Sequence, residues 1–231
     1  MFHKPAGLAL IDPFDTLGAG DRPACRMAGW LEAFGDANTA MLTAAERSRA
    51  SRLKSPGRQR EMIASFVLRR WLVAEMTGCA AGDVRFDAKE NGAPVLLAPT
   101  GYAVSLTNKR ALTAVALDRE GAAIGVDVEI VRPAEWRPML ATICDEDERA
   151  EFLARYSNEN APLTAFFRLW TLKEAVLKAT GQGFRAGPKA VKVSVDDISG
   201  PGSGTVAAFG AAFDYWTADQ GEAIVSLARR R

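Results

Sequence analysis

Two short stretches gather the residues able to do chemistry. In "IGVDVEIV", residues 124–131, Asp127 and Glu129 alternate with Val126 and Val128. In an extended strand both carboxylates leave one face, about 7 Å apart at Cα, while Ile124, Val126, Val128 and Ile130 take the other. In "RLWTLKEAVLKATG", residues 168–181, Glu174 and Lys178 are four apart and share a helix face, with Lys173 adjacent and Trp170 one turn before Glu174. Phe167, Trp170 and Leu177 supply that helix with a core stripe. Taken singly each stretch has a plain reading. A D-x-E pair is the acidic face of a surface strand, and a Glu–Lys pair at this spacing is a surface ion pair worth about 0.2–0.5 kcal/mol. Three carboxylates together, with no histidine or thiolate beside them, suit Mg²⁺, which takes one or two carboxylates with phosphate oxygens and water.

The chain contains one histidine, His3. A Ser-His-Asp triad, a His-ligated zinc or a histidine base is therefore not expected, and chemistry falls to carboxylates, lysines, arginines and hydroxyls. That set points to hard cations and phosphate. A net charge of +1 announces neither nucleic acid nor membrane as partner. Cys25, Cys79 and Cys144 are odd in number and far apart, so they read as reduced thiols of a cytoplasmic protein. The apolar run near the start stops at Asp12, short of a secretory h-region, and no run approaches the roughly 20 residues of a membrane span.

The elements that must hold these residues come in two similar series. A strand near "GLALID" leads to a helix in "LTAAERSRASRL", where Thr43 and Glu46 form a capping box. A second, long helix runs through "RQREMIASFVLRRWLVAEMT" to a C′ glycine, Gly78. Strand-like runs "DVRFDA", "PVLLA", "YAVSLT" and "ALTAVALD" follow, separated by turns at Asn91-Gly92 and Pro99-Thr100-Gly101. The order then recurs: "IGVDVEIV", a charged helix in "CDEDERAEFLARY", a long amphipathic helix closed by Gly181, and strands "KAVKVSV", "GTVAAF" and "AIVSLA". Glu46-Arg47 and Glu148-Arg149, and Gly78 and Gly181, repeat at nearly equal separations. The expectation is an α+β fold of pseudo-twofold duplicated lobes, each a long helix packed on a small antiparallel sheet. The lobes would be 1–119 and 120–231, with a ligand cleft at the seam.

The combined pattern resembles the signature of the Sfp-type 4′-phosphopantetheinyl transferases, G-V/I-D-x-E followed by W-x-x-K-E-x-x-x-K. Gly125, Asp127, Glu129, Trp170, Lys173, Glu174 and Lys178 match it, and the basic helix, "NGAP" and "AVSLT" fall where that family has its basic helix, G-K-P and S-H segments. The resemblance covers roughly residues 40 to 185. It implies transfer of the phosphopantetheine arm of coenzyme A to a serine of an acyl or peptidyl carrier protein, releasing 3′,5′-ADP. It also implies Mg²⁺ on Asp127, Glu129 and Glu174, with Glu174 as general base and Lys178 at the α-phosphate. Lys173 would be a secondary phosphate contact. Coenzyme A would further meet Arg49, Lys89, Gly92, Pro94 and Ser105, and a duplicated chain builds its cleft as a monomer.

In the basic region, Arg47, Arg49, Arg52, Lys54, Arg58, Arg60, Arg69 and Arg70 face only Glu46 and Glu61, and guanidinium forks suit phosphate. Three positions depart from the family pattern, all on the nucleotide side: Leu106 where histidine is usual, Ala93 for the lysine of G-K-P, and Glu46 for a basic residue. Two alternatives stay open on that account: a carrier-protein-binding homologue with weak or no coenzyme A turnover, and a Mg²⁺-dependent phosphate-ester enzyme on the same fold. For a carrier, the candidate surfaces are the segment between Val131 and Arg155 and the exposed part of "GFRAGPKAVK".

Overall fold

The computed structural model describes residues 4, 5, 7–18, 20–29, 39–110, 112–156, 162–181 and 187–231. His3 and part of "GFRAGPKAVK" lie outside them. The chain order is β1 (Ala24–Gly29), α1 (Ala44–Ser51), α2 (Pro56–Thr77), β2 (Arg85–Ala88), β3 (Pro94–Ala98), β4 (Ala103–Lys109), β5 (Leu112–Asp118) and β6 (Ile124–Ile130). It continues with α3 (Trp136–Ile143), α4 (Glu146–Tyr156), α5 (Pro162–Ala179), β7 (Val191–Lys192), β8 (Gly202–Ala208), β9 (Ala211–Gln220) and β10 (Ala223–Arg230). Three strands form a sheet in the order β1-β5-β4, five form another in the order β6-β10-β9-β8-β7, and β2 pairs with β3. Every pairing among the described residues is antiparallel.

Period-two burial stacks these elements into four layers. Val115 and Leu117 of β5 pack on Leu68 and Leu72 of α2. The opposite face of the same sheet, with Cys25, Met27, Ala114 and Ala116, meets Val126, Val128, Val225 and Leu227 of the five-stranded sheet. The far side of that second sheet, through Ile224, Ala228, Phe213 and Tyr215, receives Phe166, Leu169, Leu172 and Val176 of α5. The order is therefore α2, three-stranded sheet, five-stranded sheet, α5. Cys25 and Cys144 are buried free thiols, each pushed up to about 12, foremost by burial. Among the described residues no helix is long and apolar enough to cross a membrane.

Local expectations are met where chemistry is local. Thr43 and Glu46 make the capping box, and Gly78 ends α2 with φ of 76°, the left-handed conformation a side chain disfavours. Where pairing is non-local they fail. "GLALID" contributes only a bridge from Ile11 to Met27, and "KAVKVSV" keeps two strand residues, Val191 and Lys192. The first strand among the described residues is instead β1, whose six residues pair along β5.

Glu46 also knits α1 to α2. Its carboxylate accepts from Arg70 at 2.9 and 3.1 Å and from Arg69. Burial pushes its pKa up, but the Arg70 hydrogen bond, the Thr43 backbone and the charges of Arg70 and Arg69 outweigh it, leaving the folded value below the ordinary 4.5. The unfolded chain therefore takes up this proton first. The stability Glu46 contributes is full above pH about 4.5 and is lost as pH falls through the folded value. Urea titrations at stepped pH should show this loss in the native protein and a shallower one in Glu46→Gln.

Candidate active site

The junction of β6 and α5 begins with a glycine. A Cβ on Gly125 would lie 1.9 Å from the Ala175 carbonyl oxygen and 2.6 Å from the Ala179 amide nitrogen. No side chain fits there, so strand and helix touch backbone to backbone. That approach brings the next residues of β6 under the last turns of α5. Lys178 Nζ donates to the Val126 carbonyl at 3.0 Å and to Asp127 Oδ1 at 2.7 Å. A second polar tie lies deeper: the Thr171 hydroxyl is 2.9 Å from that of Ser226, the β10 residue paired with Asp127. Glu174 is on the turn between these two ties.

The edge strand β4 closes the other side. Ser105, Thr107 and Lys109 alternate onto one face, and each reaches β6. The Val126 N–H donates to Ser105 Oγ at 3.0 Å, Thr107 Oγ1 donates to Asp127 Oδ1 at 3.0 Å, and Lys109 Nζ meets Glu129 Oε1 at 2.5 Å. Arg132 holds the other oxygen of Glu129 at 3.0 Å. Burial raises the Asp127 pKa against the pull of Lys178 and Thr107, and the Glu129 charge adds to the rise. Glu174 is raised by burial first and then by the negative charge of Asp127, with Glu129 contributing and Lys178 opposing. The three acids and Lys178 thus share one electrostatic neighbourhood.

The fit to Mg²⁺ is uneven. Asp127 Oδ2 and both oxygens of Glu174 make no hydrogen bond among the described residues, and these are hard oxygen donors of the type the ion takes. Glu129 has both oxygens engaged by cations. Among the described residues no three acids gather closely enough to hold a metal. Asp127 and Glu174 are therefore the pair suited to the ion.

On the other side of β4 lies a cavity of about 650 Å³. One face of α2 lines it at helical spacing, Arg58, Met62, Ser65, Phe66 and Arg69, together with Arg49, Leu106 and Lys109. Gly92 and Pro94 of the β2–β3 turn line it too. Of the cavity-lining residues, Lys109 is the one that also pairs with an acid of the β6 group. Arg49, Gly92 and Pro94, three of the expected coenzyme A contacts, thus line one cavity.

Three expected contacts are placed elsewhere. Lys173 is 1% exposed, its ammonium spent on Glu148 at 2.7 Å and the carbonyls of Val191 at 2.7 Å and Pro188 at 3.2 Å. It is a core residue and has no N–H left for phosphate. The buried Ser105 hydroxyl serves the β6 backbone. Lys89 is exposed in the turn, bonded through its backbone to Ala93 and Gly92, and does not line the cavity. Arg132 was not foreseen: it lies just past the end of β6, where strand alternation gives no signal that it turns back to Glu129.

Residues 123–227 match the model of the 4′-phosphopantetheinyl transferase superfamily. The chain is 34% identical over 149 residues to the 4′-phosphopantetheinyl transferase HetI of Nostoc, covering 62% of this chain and 61% of that protein. It is 34% identical over 93 residues to the 4′-phosphopantetheinyl transferase AcpT of Salmonella typhi, 40% of this chain and 47% of that one. To the 4′-phosphopantetheinyl transferase psf-1 of Bacillus pumilus it is 26% identical over 142 residues, 62% and 59% of the two chains. The chain spans less than two thirds of the length of each of these relatives. The matched segment contains the β6 acids, the whole of α5 and the strands beneath it, and over that segment the chain is similar to the 4′-phosphopantetheinyl transferase superfamily.

Proposed function

We propose that this chain moves the 4′-phosphopantetheine arm of coenzyme A onto a serine of an acyl or peptidyl carrier protein, releasing 3′,5′-ADP. The observation that carries the reading is the shared Lys109. It joins a cavity lined by five cations and two acids to the carboxylates of β6 and α5. A nucleotide held by the cavity would present its pyrophosphate at the acids. The three relatives reported above are named 4′-phosphopantetheinyl transferases, which supports the reading.

Asp127 and Glu174 would hold Mg²⁺, which when bound offsets negative charge on the pyrophosphate. The chain's own residues do the rest. Glu174 takes the proton of the carrier serine, and burial beside Asp127 makes it a stronger base than an exposed carboxylate. The serine oxygen bonds to the phosphorus of the pantetheine phosphate as the bond to the bridging oxygen breaks, and the electron pair leaves with 3′,5′-ADP. Lys178 uses two of its three N–H groups on Val126 and Asp127, and the third, which makes no hydrogen bond among the described residues, would meet the departing phosphate.

We read the molecule as two lobes, 1–119 and 120–231, built on one plan. In each sheet the first strand pairs with the last and the last with its predecessor, β1-β5-β4 and β6-β10-β9. A doubled plan builds the seam within one chain, which supports a monomer. The test is direct: protein, coenzyme A, Mg²⁺ and an apo-carrier should add about 340 Da to the carrier serine, the mass of the arm. Glu174→Gln should slow this by at least about a hundredfold, the lower range for a general base. A folded protein that modifies none of several unrelated carriers overturns the reading.

A further inference from the structure

Glu46 and the guanidinium it holds form an arrangement that the signature does not specify. Arg70 is 1% exposed and bonds to both oxygens of Glu46, so its single charge already balances that carboxylate. Arg69 adds a second guanidinium to the same acid. Two positive charges thus share one negative charge, and the surplus rests on Arg69, the member that lines the cavity. Its guanidinium is stacked by two rings, Phe66 at 4.7 Å and Phe86 at 4.5 Å from centroid. Of its nitrogens, Nη2 is on Glu46, while the buried Nε and Nη1 make no hydrogen bond among the described residues. Arg49 lines the same cavity with no ion pair among the described residues and lies near enough for its charge to disfavour that of Arg69. Two cations line one space, and the single acid bonded to either of them, Glu46, is already bonded at both oxygens by Arg70, which favours an anion there.

We propose that Arg69 is a phosphate-binding residue of the cavity, pre-set by Glu46, Arg70, Phe66 and Phe86. The acid at position 46 then has a reason. It removes one cation from the first helix and fixes another, from α2, on the cavity wall. Stacking and the ion pair hold the fork before any ligand arrives, so little side-chain entropy is lost on binding. Burial, with Arg70 and Arg49 beside it, draws the Arg69 pKa down to about 10 against the pull of Glu46, which leaves it charged at neutral pH. Glu61 and Asp87 line the cavity too. They disfavour phosphate near themselves, which leaves the Arg49–Arg69 side as the place for it.

This rests on reading the cavity as the coenzyme A site, and direct binding separates the two ideas. Calorimetry with coenzyme A, 3′,5′-ADP and inorganic pyrophosphate would be run on native protein, Arg69→Met and Arg69→Lys. Arg69→Met should bind coenzyme A about tenfold to a hundredfold more weakly, the loss of a charged hydrogen bond. Arg69→Lys should fall between, keeping the charge without the fork. Should Arg69→Met fail to fold, Phe86→Leu removes a stacking ring with every charge kept and should weaken binding severalfold. Unchanged affinity in the folded variants overturns the inference and leaves the transferase reading intact. Pyrophosphate binding that is lost in Arg69→Met, with no affinity for coenzyme A, supports Arg69 and overturns the coenzyme A reading. Native protein that takes up none of the three probes overturns the inference, while carrier modification is judged separately by mass.

Discussion

Gly125→Ala is expected to unseat α5 and slow transfer roughly a hundredfold, although it adds one methyl group. The added carbon would sit 1.9 Å from the Ala175 oxygen and 2.6 Å from the Ala179 nitrogen, the two ends of one helical hydrogen bond. Neither neighbour is a flexible side-chain tip, so the helix itself must lift. Overpacking of this kind costs about 1–3 kcal/mol and occasionally more, and a backbone clash belongs at the upper end. The chemical effect is larger. Glu174 and Lys178 ride on the same turns as the two clashing residues, while Asp127 stays on the strand. A shift of about 1 Å between them lowers the rate roughly a hundredfold. Urea unfolding and the rate of carrier mass gain measure the two effects. A variant with native midpoint and native rate would show that β6 and α5 do not touch at this point.

Lys173→Met should destabilise the protein strongly, and it distinguishes a core lysine from a ligand lysine. The Lys173 ammonium joins Glu148 of α4 to the carbonyls of Pro188 and Val191, and the other oxygen of Glu148 accepts the Val193 N–H at 3.1 Å. Burial lowers the Lys173 pKa while Glu148 opposes that. Removing one partner of a buried pair leaves an uncompensated charge and costs about 3–5 kcal/mol. With Glu148→Met added, no charge remains buried, and the double variant should be less destabilised than the sum of the singles. Were Lys173 a phosphate contact, Lys173→Met would keep its unfolding midpoint and raise KM for coenzyme A. Chemical denaturation of the three variants decides between these outcomes.

Much of the framework could be read along the chain. The Thr43–Glu46 box and the glycine at 78 are set by hydrogen bonds and dihedral limits within a few residues, and both hold. The alternation in β6 placed Asp127 and Glu129 on one face and the valines on the other, because strand geometry leaves no other choice. Strands β1 and β9 and helix α3 were not foreseen. β1 is a strand because it pairs with β5, and β9 because it lies between β8 and β10. The isolated bridge at Ile11 shows the converse, an apolar alternating run that finds no strand partner beyond one residue.

The site divides in the same way. Residue types and helical spacing by themselves determined that Glu174 and Lys178 lie about 40° apart around one helix, and that Lys173 lies about 140° from Lys178. Which of those directions meets the β6 acids and which meets the core depends on strands and helices distant in the chain. Tertiary packing sent Lys178 to Asp127 and Lys173 to Glu148. It also gave Glu46 to two arginines and Glu129 to Lys109 and Arg132. A charge is known from its side chain alone, but its partner is set by what the fold brings within about 3 Å, and that choice separates a ligand from a strut.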